Sequence, residues 1–388
     1  MCLTVGSDNF TSSRALDELI RSDNAVRHGK PPPRRNDLAD IRQSRPLRVH
    51  FRPGRTRCGR SHDRLPHAAT AATAGTATQP AFPADPTAYV DTSIGNNGSG
   101  TTFPGAARPF GMVQNSPDTR VNSYASYDYA DTKILGFTQT HLSGVGCQTN
   151  GNIRLMPVPG AFPGTQPAAQ AAGFSHADER REPGDYMVGL ATGVTAELTA
   201  TERTGWHRYS YPAGAALRTI VVNVGSSNGY TYDGQVDVVG DRTVEGWITG
   251  GNFCWETGKE RYKVYFSATF DQPFAAFGTW SDRAPLVPGR RHADITGSAS
   301  NGSRSDGGAM VSFPGTGRVT AQVGLSYTSV TGARLNRETE SDGQTFDTVR
   351  ATRQCCSTSI RCGSAVRTGR GPGSATATCS GPGRSTSR

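Results

Sequence analysis

From about residue 88 to 328 the chain repeats one pattern: short runs of β-branched and aromatic residues, broken by clusters of Gly, Asn, Asp and Pro. Within the runs the apolar residues recur at every second position. Tyr262, Val264, Phe266, Ala268 and Phe270 share one face, as do Val194, Ala196, Leu198 and Ala200. Such period-2 alternation buries one face of a pleated strand and wets the other. Strands are expected at 111–114, 153–158, 186–190, 194–201, 207–211, 219–224, 236–239, 243–247, 262–270, 274–280, 309–313 and 319–330. With 47 Gly and 24 Pro in 388 residues, turns are frequent and long helices are disfavoured. No strand–helix alternation and no GxGxxG, Walker A or HExxH motif occurs. The fold expected is all-β, an antiparallel sandwich.

The charge divides the chain differently from its length. Residues 1–66 carry 14 Lys or Arg against 7 acids, and residues 348–388 carry seven Arg and no acid. The net +9 of the whole chain therefore resides in its two ends, and the 281 residues between them sum to −5. Residues 1–66 read as a disordered basic segment, 67–85 as an Ala/Thr-rich linker, 86–332 as the sandwich, 333–353 as a connector, and 354–388 as a disordered Arg/Gly/Ser tail. The basic head has the look of a nucleic-acid arm, but a solvated segment explains it, and no nucleic-acid partner is expected. No run of 18 apolar residues exists to span a membrane as a helix, so no membrane partner is expected either, and the first 30 residues show no signal-peptide h-region.

Special residues concentrate between Asp91 and Pro159. Gly98 and Gly100 suggest a phosphate cradle only weakly, lacking a Lys-Ser/Thr and a following helix. His141, Ser143 and Cys147 lie within seven residues, beside Gly144 and Gly146. A His141–Cys147 nucleophile pair has no orienting third group, so close backbone approach to a ligand or neighbouring domain is the better account. Cys147 and Cys254 can be bridged, although sequence does not bring their Cα atoms within reach. Neither sits in a metal-binding spacing.

The stretches VDTSIGNNGSGTTFPGAARPFGMVQNSPDT, GFTQTHLSGVGC and NIRLMPVPG resemble the opening of the family 92 glycoside hydrolases, calcium-dependent exo-α-mannosidases. FSHADERREPGDYMVGL, ATERTGWHRYSYP and GGNFCWETGKERYKVYFSATFDQPFAAFGTW extend the likeness over about residues 86–350. The resemblance implies an N-terminal sandwich followed by a helical (α/α)6 barrel. It implies inverting hydrolysis of terminal α-mannosides, with catalytic carboxylates and calcium ligands in the barrel. No catalytic residue or metal ligand is therefore assigned to this chain, and calcium is a cofactor of the parent family only.

The same resemblance maps the sugar-facing or interdomain wall onto Phe103, Gly105, His141, Ser143, Gly144, Gly146 and Cys147. Trp255 adds a candidate sugar platform, whereas Trp206, His207 and Tyr209 read as core aromatics at a strand entry. The implied partners are an α-mannoside glycan and the helical catalytic barrel, and the implied location is extracytoplasmic. The family pattern stops near Gln354, as a shifted reading frame would cause, although a natively short form is an alternative. Inactivity of the chain alone, a mannoside-binding lectin-like module, and a non-functional fragment of a disrupted gene are the resulting expectations.

Overall fold

The computed structural model describes residues 86–144, 146–251, 254, 260–281, 284–296 and 307–352. Expectations for the basic head, the linker and the tail fall outside these residues. In chain order the first strands are β1 (Ala106–Ala107), β2 (Gln114–Asp118), β3 (Lys133–Ile134), β4 (Gly136–Thr138), β5 (Arg154–Pro159) and β6 (Ala172–Glu182). β7 (Asp185–Leu190), β8 (Thr195–Ala200), β9 (Thr204–Ser210), β10 (Arg218–Asn223), β11 (Tyr230–Val239) and β12 (Thr243–Gly251) follow. Then come β13 (Arg261–Phe270), β14 (Ala276–Ser281), β15 (Val287–Pro288), β16 (His292–Thr296), β17 (Gly307–Phe313) and β18 (Arg318–Ser326). A single helical turn, α1 (Pro167–Gln170), precedes β6, and α2 (Val330–Ser341) and α3 (Phe346–Ala351) close the described chain.

The strands form two antiparallel sheets, ordered β1-β2-β4-β5-β10-β17-β14-β15 and β16-β11-β12-β13-β18-β9-β8-β7-β6-β3. One continuous core lies between them. The period-2 faces supply it: Val264, Phe266, Ala268 and Phe270 from β13, and Ala196, Leu198 and Ala200 from β8, are all buried. β10 and β17, neighbours in the middle of the eight-stranded sheet, are buried along their whole length.

Three sequence expectations shift. Strand β2 begins at Gln114 and runs to Asp118, where 111–114 was expected. The long final run ends at Ser326, whose hydroxyl accepts from Thr328 N (3.1 Å) and turns the chain. Ser329 then caps α2 by accepting from Gly332 N at 2.9 Å. Strand β6 was not foreseen, because its charged sequence and an irregular register hide the alternation.

The two closing helices pack on the ten-stranded sheet. Arg334 reaches Glu245 of β12 (2.6 Å), Glu340 meets Arg203 (2.7 Å), and Asp347 meets Arg208 of β9 (2.8 Å). Phe346 and Val349 cover Trp206. The connector is thus fastened to the sandwich by charge and by an apolar patch.

Candidate functional site

Two glycine-rich loops meet at one edge of the eight-stranded sheet. The loop at 91–102 winds around the buried Asn96, whose side chain donates to Thr92 O (2.8 Å) and accepts from Thr102 Oγ1 (2.6 Å). The second loop follows β4, and Gly144 N–H donates to Thr101 O at 2.8 Å, joining the two. Gly144 (φ 82°) and Gly146 (φ 63°) adopt the left-handed conformation that glycine tolerates without strain. Ser143 and Gly144 are exposed, and Phe103 is half-buried. At Gly105 a Cβ would sit 2.2 Å from Asn115 O, so only glycine lets this loop lie against β2.

The Phe103 ring packs at 5.1 Å, centroid to centroid, on His141. His141 itself is buried and committed within the domain. Its Nδ1–H donates to Gln114 O (2.8 Å), and Nε2 stands 2.9 Å from Asp118 Oδ1. Arg154 donates to Asp118 Oδ2 through Nε (3.1 Å) and Nη2 (2.9 Å), and to Ser226 Oγ through Nη1 (2.7 Å). Thr138 Oγ1 donates to Asp118 Oδ1 (3.0 Å). Asp118 and Arg154 have no exposed side-chain surface. Room for the arginine stem comes from Gly136, where a Cβ would sit 2.5 Å from Arg154 Cγ. His141 therefore supports Phe103 from behind, leaving the aromatic ring, Ser143 and the glycine backbone as the outward groups.

Cys147 is buried and bridged to Cys254, with Cα atoms 4.8 Å apart across 107 residues of sequence. The bridge removes the thiol that a nucleophile would need and ties the glycine loop to the end of β12. Tyr262 adds a second tie: it accepts from Asn150 N (3.0 Å) and donates to Asn152 Oδ1 (3.1 Å). Burial pushes this phenol up to about 12, which keeps it a donor. Trp255 lies outside the described residues. Trp206, His207 and Tyr209 are all buried, as expected of core aromatics. Burial lowers His207 to about 3, so its ring is neutral, held by Tyr209 Oη (2.8 Å) and the Gln139 amide (3.0 Å).

The implied calcium ion finds no fitting donor set among the described residues, where no group of three His, Cys, Asp or Glu converges on one point. No step is routed through it. Sequence reasoning missed Phe110, which is fully exposed with φ 59°, a strained conformation for a bulky residue. Its signal was an apolar ring between Pro and Gly. Tyr89, Val90 and Ile94 are likewise exposed, so apolar surface concentrates in residues 89–110.

A family model described as the glycosyl hydrolase family 92 N-terminal domain matches residues 89–326. The GH92 family glycosyl hydrolase CcMan5 is similar in structure, with 32% identity, a TM-score of 0.61, and coverage of 70% of this chain and 36% of that one. The GH92 α-mannosidase BT3965 of Bacteroides thetaiotaomicron, in complex with mannoimidazole, is 30% identical with a TM-score of 0.61, covering 70% of this chain and 36% of its own. A protein of Arthroderma benhamiae described as an uncharacterized secreted glycosidase is 26% identical over 277 residues, which are 67% of this chain and 35% of that protein. The chain spans about a third of the length of these relatives.

Proposed function

Because this chain belongs to glycosyl hydrolase family 92, whose N-terminal domain it contains, we propose that its sandwich is the sugar-contacting wall of an exo-acting, inverting α-mannosidase. The observation that carries this reading is the joined pair of loops. They present Phe103 over the buried His141, with exposed Ser143 and Gly144 alongside. An aromatic ring offers a flat apolar face to the C–H face of a pyranose, and glycine backbone lets a sugar approach closely. The Asp118–Arg154 pair and the Cys147–Cys254 bridge hold these groups in place before substrate arrives, which lowers the ordering cost of binding.

In this reading the proton transfers belong to a facing helical domain. There one carboxylic acid protonates the leaving oxygen and a carboxylate activates water across the ring. The wall positions the mannose and excludes solvent, and alone it turns nothing over. The exposed apolar residues Tyr89, Val90, Ile94 and Phe110 support a facing domain, since such surface is costly when left in water. The bridge and the likeness to a secreted glycosidase support an extracytoplasmic setting.

The test is hydrolysis of an aryl α-mannoside in calcium buffer. The chain alone is expected to show no turnover. Joined to the helical domain of a family relative, it is expected to gain turnover, and Phe103→Ala is expected to lower kcat/KM about tenfold. Turnover by the chain alone, or a joined enzyme indifferent to Phe103→Ala, overturns the reading.

A further inference from the structure

A second place on the molecule has the makings of a binding site, built by an irregularity in one strand. Strands β6 and β7 pair at Phe174–Leu190 and again at Glu179–Val188, so Ser175 to Asp178 stand opposite the single residue Gly189. This bulge opens a cleft of about 530 Å³, within the size range of small-molecule sites. Bulges re-aim side chains in this way.

The bulge is held rigidly from beneath. Glu179, with no exposed side-chain surface, accepts from Tyr186 Oη (2.7 Å) and Tyr127 Oη (3.0 Å), and its other oxygen stands 2.8 Å from His176 Nδ1. Arg181 approaches the same oxygen at 3.4 Å. Burial, reinforced by the Glu179 charge, raises both tyrosine hydroxyls well above their ordinary range, so they remain donors. His176 also donates through Nε2 to Tyr129 O (2.6 Å) and stacks on the Tyr129 ring at 3.8 Å. A buried carboxylate with this many partners specifies one backbone path for the bulge.

That path leaves the Asp178 carboxylate exposed on the cleft, without an ion pair or hydrogen bond among the described residues. The half-buried Phe174 lines the cleft with Ser175 and Thr195, while Leu190 and Val194 line it with their side chains turned into the core. Leu190 and Val194 are also buried. No Lys or Arg lines it, so it is unsuited to an anion. One aromatic ring with a free carboxylate acceptor and two hydroxyl-bearing residues beside it matches a molecule with a C–H face on one side and adjacent hydroxyls on the other. We propose that this cleft binds a neutral hexopyranoside, with the ring over Phe174 and two neighbouring hydroxyls donating to Asp178. The cleft shares no lining residue with the Phe103 loops.

The full chain would be titrated, by calorimetry and saturation-transfer NMR, with the methyl glycosides of α-mannose, β-glucose and β-galactose. Saturable binding of at least one is expected, weakened about tenfold by Asp178→Asn, as loss of a charge-assisted hydrogen bond implies. Phe174→Ala is expected to weaken it similarly. Asp178 is exposed, so its variant should retain the wild-type melting temperature and report binding alone. Absence of binding by all three glycosides overturns the proposal. So does binding that ignores both Asp178→Asn and Phe174→Ala, or tighter binding of 1,5-diaminopentane than of any sugar, which would mark a cation site.

Discussion

Two of the buried carboxylates, Asp118 and Glu179, organise their surroundings in different ways. Asp118 sits in β2 with partners on or just after neighbouring strands: Arg154 on β5, Thr138 on β4 and His141 just after β4. The ladder there is regular, and the ion pair fixes how three strands and a loop come together. Glu179 lies in β6 beside a register shift, and most of its partners come from β6 and β7 themselves. Its hydrogen bonds stand in for the ladder bonds that the bulge interrupts. The first cluster supports a site assembled from distant segments; the second shapes a cleft centred on one hairpin and completed by Thr132 and the start of β8. Buried charge costs desolvation in both places, and what it secures is one geometry among several.

The sharpest way to break the comparison is Arg154→Met. It leaves Asp118 charged and buried with only Thr138 and His141 beside it, and a loss of about 3–5 kcal/mol is expected in urea unfolding. Adding Asp118→Asn should recover much of that loss, because the uncompensated charge is then gone. Equal instability of single and double variants would show that packing of the arginine stem against Gly136, and not charge, is what matters.

A third buried polar cluster, without any carboxylate, sharpens the contrast. His207 is neutral in the fold at about 3, against an unfolded value near 6.5. Between those values the unfolded chain binds the extra proton, so this contribution to stability is intact above pH 6.5 and is lost as pH falls toward 3. The expected slope is about 1.4 kcal/mol per pH unit in that window. Melting curves of wild type and His207→Gln, compared from pH 7 to 4, read it directly. A variant that loses stability with acid as steeply as wild type would remove His207 from the account.

Legibility from sequence followed the same division. Where strands are regular, alternation located them: Val264, Phe266, Ala268 and Phe270 were assigned to the buried face and lie there. The core roles of Trp206, His207 and Tyr209 were legible for the same reason. Strand β6 was not, since a bulge of four residues against one erases a period of two, and the cleft at Asp178 was hidden with it. Phe103 and His141 lie 38 positions apart, and nothing local predicts that their rings meet; only the family resemblance placed them on one wall. The Cys147–Cys254 bridge spans 107 residues and became decidable only once β12 and the glycine loop had positions.

The smallest expected effect tests the comparison most closely, because it repeats the first substitution at the second carboxylate. Arg181→Met removes the arginine nearest Glu179, as Arg154→Met does for Asp118. Arg181, however, retains 19% side-chain exposure and stands 3.4 Å from Glu179, with its Nη1 hydrogen making no hydrogen bond. Glu179 keeps both tyrosine hydroxyls at hydrogen-bonding distance when Arg181 is gone. A loss of about 1 kcal/mol or less is expected, with hexopyranoside binding at the cleft unchanged, since the bulge keeps its anchor. A loss as large as that of Arg154→Met would mean that the tyrosines cannot carry the buried charge. The two clusters would then differ in position on the sheet and not in kind.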